Sequence, residues 1–178
     1  MIVMINGSFG VGKSTVAGHL KPLLGAQIYD PEWAGSIMMR LPKWVALEGR
    51  GTDDFQDITL WRRSVALGTR LWRKATGRPI IVPMTFSRRD YFTEVTSALR
   101  SFEPDLHIFC LRASLDTIKQ RLDKRGTAVE GWIARRIVEC EAAHRDPLFG
   151  TPIDTEALDA QRIAELIAAQ LGRARQPS

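Results

Sequence analysis

Cysteine is scarce in this chain, with two in 178 residues. Cys110 and Cys140 stand far apart, with nothing resembling paired metal-ligand spacing, so a disulfide framework and a zinc module are both excluded. Both thiols are expected to be small buried hydrophobes in a reducing compartment. Long hydrophobic runs are missing too. The uncharged stretch from Pro79 to Ser87 falls far short of the roughly 20 apolar residues that cross a bilayer. Lysine is also sparse: of the 25 basic residues 19 are arginine, and no basic run exceeds two. The net charge of +5 is modest for this length, so nucleic acid is not expected as a partner. Internal repeats and flexible linkers are absent.

What is present reads as one globular domain. Hydrophobic residues make up 44% and charged residues 25%, the ordinary mixture for a packed chain of this size. The expected domain runs over residues 1–172, with a flexible tail at 173–178. The N-terminus, Met1 to Asn6, enters a strand at once without a basic leader or cleavage site, which points to the cytoplasm.

The apolar pattern alternates between two kinds of element. Short runs without polar alternation at Ile2–Ile5, Ala26–Tyr29, Pro79–Pro83, Leu106–Leu111 and Pro152–Ile153 predict strands covered on both faces. Helical periodicity is expected at Lys13–Leu24, Trp33–Arg40, Phe55–Ala75, Arg88–Phe102, Ser114–Lys124, Trp132–His144 and Glu156–Leu171. On the third of these, Ile58, Trp61, Val65, Leu67, Leu71 and Trp72 are expected to share one broad apolar face. Ser114 is placed to cap its helix, and His144 reads as a polar surface residue. Strand–helix alternation of this kind predicts an α/β fold with a parallel, five-stranded sheet between helical layers.

One motif fixes the class. Residues 7–14 read GSFGVGKS, a full match to G-x-x-x-x-G-K-[ST], preceded by a buried strand and followed by a helix. Glycines let successive backbone N–H groups turn toward phosphate, and the helix N-terminus adds donors and a favourable dipole. Gly7, Phe9, Gly10, Val11, Gly12, Lys13, Ser14 and Thr15 therefore form the candidate ATP site. Lys13 is expected to reach the β- and γ-phosphates, and the Ser14 hydroxyl to ligate Mg²⁺. The strand at 79–83 runs into Met84 and Thr85 with no Asp or Glu, so a switch built on a second metal acid is not expected. Thr85 is left as a group for a metal-bound water or a substrate, or for packing.

Asp30 ends the second strand, where such sheets carry their ligand crevice. It is the candidate general base for an acceptor hydroxyl, with a helix cap before Pro31 as the other reading. Asp53, Asp54 and Asp57 precede a helix carrying Trp61, Arg62 and Arg63. Asp57, Trp61, Arg62 and, more weakly, Arg40 are candidate acceptor-site residues, with core packing the competing role for Trp61. Arg121 and Arg125, four apart, are expected on one helix face of a small lid over about 121–136, where their guanidinium groups would neutralise transferring phosphate and exclude water. A solvent-facing arginine row is the alternative. Thr155, after the last strand, is expected near the adenine edge.

These features resemble the nucleoside- and nucleotide-kinase branch of P-loop proteins. Within it, the chain resembles the tunicamycin-resistance protein family. The likeness rests on NGSFGVGKS at 6–14, YDPE at 29–32 with Gly35, DFQ at 54–56 followed by LWR at 60–62, and IVPMT at 81–85; it continues more loosely through Arg121, Arg125 and the Asp154–Thr155 strand end. The resemblance implies ATP binding at Gly12, Lys13 and Ser14 and protection from tunicamycin, a uridine-containing nucleoside with sugars and a fatty acyl tail. It also implies peripheral contact with the membrane in some members. Three readings follow: an ATP-dependent phosphotransferase acting on a nucleoside-like hydroxyl, a protein that sequesters the drug without chemistry, and a nucleoside monophosphate kinase.

Overall fold

The computed structural model describes residues 1–31 and 55–174. The helix expected at Trp33–Arg40, together with Arg40, Asp53 and Asp54, lies outside the described residues. The sheet contains β1 (Ile2–Gly7), β2 (Gln27–Ile28), β3 (Ile80–Met84), β4 (Leu106–Arg112) and β5 (Thr151–Asp154). All neighbours pair in parallel, in the order β2-β3-β1-β4-β5. Among the described residues the helices are α1 (Lys13–Leu24), α2 (Thr59–Thr76), α3 (Arg89–Phe102), α4 (Leu115–Asp123), α5 (Gly131–Ala143) and α6 (Ala160–Ala174). The last helix therefore runs into the stretch expected as a frayed tail.

The strands are apolar throughout because helices cover both faces. Val3, Ile5, Ile81 and Leu111 pack with Val16 and Leu20 of α1 and Ile163 and Ile167 of α6. The alternate residues Ile2, Met4, Ile80, Val82 and Met84 pack with Trp61 and Val65 of α2 and Phe92, Val95 and Leu99 of α3. Each such side chain contributes about 1.5–3 kcal/mol by leaving water. A polar residue on either face would forfeit that, so no two-residue alternation survives. A third, smaller cluster joins α4 to α5 through Ile118, Leu122 and Ile137. The Ser114 hydroxyl accepts from the Thr117 N–H and caps α4 as expected.

Helix α2 departs from its expected face. Ile58, Trp61, Val65 and Thr69 are buried, whereas Leu67, Leu71 and Trp72 are exposed. The inward residues follow steps of three and four, and Leu67 and Leu71 lie on the opposite arc.

Candidate functional site

The C-terminal ends of β1 and β3 converge on residues 7–15. Gly7 cannot carry a side chain: a Cβ there would sit 2.8 Å from Val11 Cγ1 and 2.9 Å from the Leu111 carbonyl oxygen. Gly12 adopts φ 106° as the N-cap of α1, a left-handed conformation that glycine takes without strain. The first turn of α1 holds no acidic residue, so its positive dipole end is not neutralised from within. These features fit a phosphate cradle.

A cleft of about 150 Å³ is lined by Phe9, Gly10, Gly12, Lys13, Ser14, Thr15, Asp30, Pro83 and Arg125. The phosphate loop, the candidate base and one of the two arginines expected on a lid thus meet in one place. Lys13 is largely buried, and its ammonium donates to the Ser8 carbonyl at 3.0 Å. Ser14 and Thr15 are exposed at the helix start, where Ser14 is disposed to hold a cation that accompanies phosphate. Among the described residues no cluster of three or more His, Cys, Asp or Glu side chains forms a metal centre.

Arg121 is not in that cleft. Helix α4 ends at Asp123, so Arg125 lies beyond it and the shared helix face does not exist. The Arg121 guanidinium instead donates to the Val11 carbonyl at 3.2 Å, to Thr155 Oγ1 at 2.9 Å and to the Thr155 carbonyl at 2.7 Å. Thr155 is buried, and its hydroxyl also donates to the Arg112 carbonyl at 3.1 Å. In this conformation that hydroxyl braces β4, β5 and the phosphate loop, and does not offer itself to an adenine edge.

The expected acceptor group also divides. Trp61 has no exposed surface and packs against Phe86, with ring centroids 6.1 Å apart. It has no face to stack on a ligand. Arg62 is buried and committed: Nε meets Glu94 at 2.6 Å, Nη1 donates to the Gln56 carbonyl at 2.7 Å and Nη2 to Thr59 Oγ1 at 3.1 Å. Its guanidinium also lies 4.0 Å from the centre of the Tyr91 ring. Asp57 accepts from the Tyr91 hydroxyl at 2.9 Å and pairs with Arg88 at 3.2 Å. Arg62 therefore ties α2 to α3, and Asp57 ties the turn before α2 to the start of α3. Thr85 is 1% exposed and its hydroxyl has no hydrogen-bond partner among the described residues. Strand alternation puts it on the Ile81 and Pro83 side, beside the root of the phosphate loop.

His144 corrects a further expectation. It is 4% exposed, and its Nε2 donates to the Phe86 carbonyl at 2.8 Å. Asn6 brackets the same residue, accepting from the Phe86 N–H at 2.8 Å and donating to its carbonyl at 3.3 Å. Burial pulls the imidazole down to about 4, with Lys13, Arg112 and Arg136 adding to the effect against the Phe86 hydrogen bond. His144 also borders a larger cavity of about 460 Å³ between β4, β5, α4 and α5, whose lining includes Ser8, Arg112, Glu141 and Asp154. The glycines of the loop and Lys13 line the smaller cleft instead.

Parallel sheet, phosphate loop and a carboxylate at the β2 end define a P-loop protein with a small-molecule-kinase-like fold. Residues 2–132 match the AAA domain family model, and the chain belongs to that family, whose P-loop implies ATP binding. None of the curated proteins matches the chain. Among solved structures it is similar to the tunicamycin resistance protein of Deinococcus radiodurans, with 29% identity, 96% of this chain and 95% of that chain covered, and a TM-score of 0.77. The fold is shared with a gluconokinase from Sinorhizobium meliloti at 20% identity, 97% and 91% coverage and TM-score 0.64. A shikimate kinase from Acinetobacter baumannii shares it at 16% identity, 99% and 95% coverage and TM-score 0.59. Among the described residues, no helix is long and apolar enough to cross a membrane.

Proposed function

We propose that the chain is an ATP-dependent phosphotransferase acting on a hydroxyl of a nucleoside-like small molecule, with tunicamycin the first acceptor to try. The observation that carries this reading is the single cleft shared by Lys13, Ser14, Asp30 and Arg125. Gly7 to Thr15 hold the phosphates of ATP. The acceptor oxygen bonds to the γ-phosphorus as the bond from that phosphorus to the β–γ bridging oxygen breaks. ADP leaves with the bonding pair, and the acceptor proton passes to the Asp30 carboxylate. Lys13 and Arg125 offset the charge spread over the transferring oxygens. The Ser14 hydroxyl would hold a magnesium ion, which would supply further neutralisation of phosphate charge.

Arg121 enters this reading through the loop it braces rather than by touching phosphate. The engagement of Arg62 weighs against a nucleoside monophosphate acceptor, whose dianion needs an uncommitted guanidinium. The Deinococcus radiodurans relative is a tunicamycin resistance protein, and the YDPE, DFQ and IVPMT segments of this chain resemble that family. The test is to incubate the purified protein with MgATP and tunicamycin and weigh the drug by mass spectrometry. Gain of one phosphate, lost in Asp30→Asn, is expected. Tight ATP-dependent binding of unaltered drug would replace transfer by sequestration.

A further inference from the structure

Asp30 is exposed and follows a strand of only two residues, so the sheet alone gives it little support. The backbone on either side is held elsewhere. The Tyr29 N–H extends the ladder by one bond to the Ile81 carbonyl at 2.9 Å. Beyond that, both flanking residues reach α2. The Trp61 indole N–H donates to the Pro31 carbonyl at 3.0 Å, a buried bond spanning 30 residues. The Tyr29 ring lies in a notch on α2 that exists because residue 68 is glycine. A Cβ there would collide with the Tyr29 hydroxyl and sit 2.5 Å from its Cζ. The same hydroxyl points to the Ser64 carbonyl at 3.5 Å, too long to fix the ring unaided. Burial raises the Tyr29 pKa, with the Asp30 charge adding to it, which agrees with a ring enclosed beside that carboxylate.

Helix α2 is itself anchored. Trp61 and Val65 sit in the core, and Arg62 fastens the helix to Glu94 of α3. The chain thus carries a two-point clamp, one point on each side of Asp30, mounted on a helix packed into the core. Phosphoryl transfer depends on the position of the base at the scale of about 1 Å, where a misplacement can cost about 100-fold. We propose that Trp61 and Gly68 are positioning residues that set where the Asp30 carboxylate stands relative to the phosphate loop. The functional weight of this clamp rests on the reading of Asp30 as the base; the clamp itself does not.

The experiment measures the position directly. Mn²⁺–ADP is bound to protein carrying ¹³C-labelled aspartate carboxyls, and its paramagnetic relaxation of the Asp30 carbon is recorded, that signal being identified by its loss in Asp30→Asn. The variants are Trp61→Phe, which keeps a ring but removes the donor, and Gly68→Ala, alone and in a Tyr29→Val background. The expected result is a change in the Asp30 relaxation rate of about twofold or more in both single variants, the response of an inverse sixth-power dependence to a shift of about 1 Å. Mn²⁺–ADP affinity stays within about twofold, because the phosphate loop is untouched. Adding Gly68→Ala to Tyr29→Val should change nothing further, since the collision partner is gone.

Unchanged relaxation in folded Gly68→Ala, or an equal Gly68→Ala effect with Val at 29, would overturn the proposal; the alanine variant decides the matter even if Trp61→Phe does not fold. Transfer assayed with Asp30→Asn separates the two claims. An unmoved carboxylate with an inactive Asp30→Asn variant rejects the clamp and keeps the base. A moved carboxylate with an active Asp30→Asn variant keeps the clamp and rejects the base.

Discussion

The buried His144 makes acid stability a sharp prediction. In the folded chain its imidazole is neutral, held down to about 4 against an ordinary value of 6.5. The unfolded chain takes up a proton more readily, so stability falls as pH drops below about 6.5 and levels off below about 4. Integrating the linkage over that window gives a loss of about 3 kcal/mol in all, of which about 2 kcal/mol falls between pH 7 and pH 5. For a chain of this size 2 kcal/mol corresponds to roughly 4–8 °C in Tm. His144→Gln keeps a side-chain N–H for the Phe86 carbonyl but has no proton to gain. Urea unfolding of both proteins at pH 7 and pH 5 isolates the effect from every other titrating group. The advantage of the native protein over His144→Gln should shrink by about 2 kcal/mol on acidification. An advantage independent of pH would refute the burial argument, and one that grew in acid would reverse its sign.

Three further outcomes are expected. Gly7→Ala places a methyl 2.9 Å from a backbone oxygen, so isothermal titration should find ATP binding lost while circular dichroism retains the α/β signature. Arg121→Ala removes three donor contacts to Val11 and Thr155 and should cost about 2–3 kcal/mol in urea unfolding. Arg121→Lys should recover only part of that, because a point charge cannot reproduce the fork. Both thiols are buried and burial raises Cys110 to about 12. A thiol reagent at pH 8 should therefore label neither native cysteine within the time that labels both in denaturant.

The sheet was legible because both faces are covered: apolar runs such as Ile2–Ile5 and Ile80–Val82 need no partner information to be read as inner strands. The phosphate loop was legible because its glycines answer to a local backbone requirement. Long-range pairing hid the rest. The apolar residues of α2 include Leu67 and Leu71 as well as Trp61 and Val65, and composition alone cannot say which arc meets β3. His144 looked like a helix-end polar residue because its partner carbonyl, Phe86, lies 58 residues away. Arg121 and Arg125 looked equivalent by spacing, and a helix stop at Asp123 separates them. Arg62 and Asp57 stood where an acceptor site was expected, but Glu94, Tyr91 and Arg88, which occupy them, come from the loop before α3 or from α3 itself. Gly68 gave no signal in sequence, since the Tyr29 ring that requires it sits 39 positions earlier.

The proposed act is transfer of a phosphoryl group, with Asp30 receiving the acceptor proton. Its most direct test uses γ-labelled ATP with tunicamycin, nucleosides and aminosugars as parallel acceptors, each run with the native protein, Lys13→Ala and Asp30→Asn. Label appearing on one acceptor with the native protein, and absent with both variants, is the predicted result. Label that persists in Asp30→Asn would contradict the assigned base. An acceptor bound tightly in the presence of ATP yet left unlabelled would contradict transfer itself.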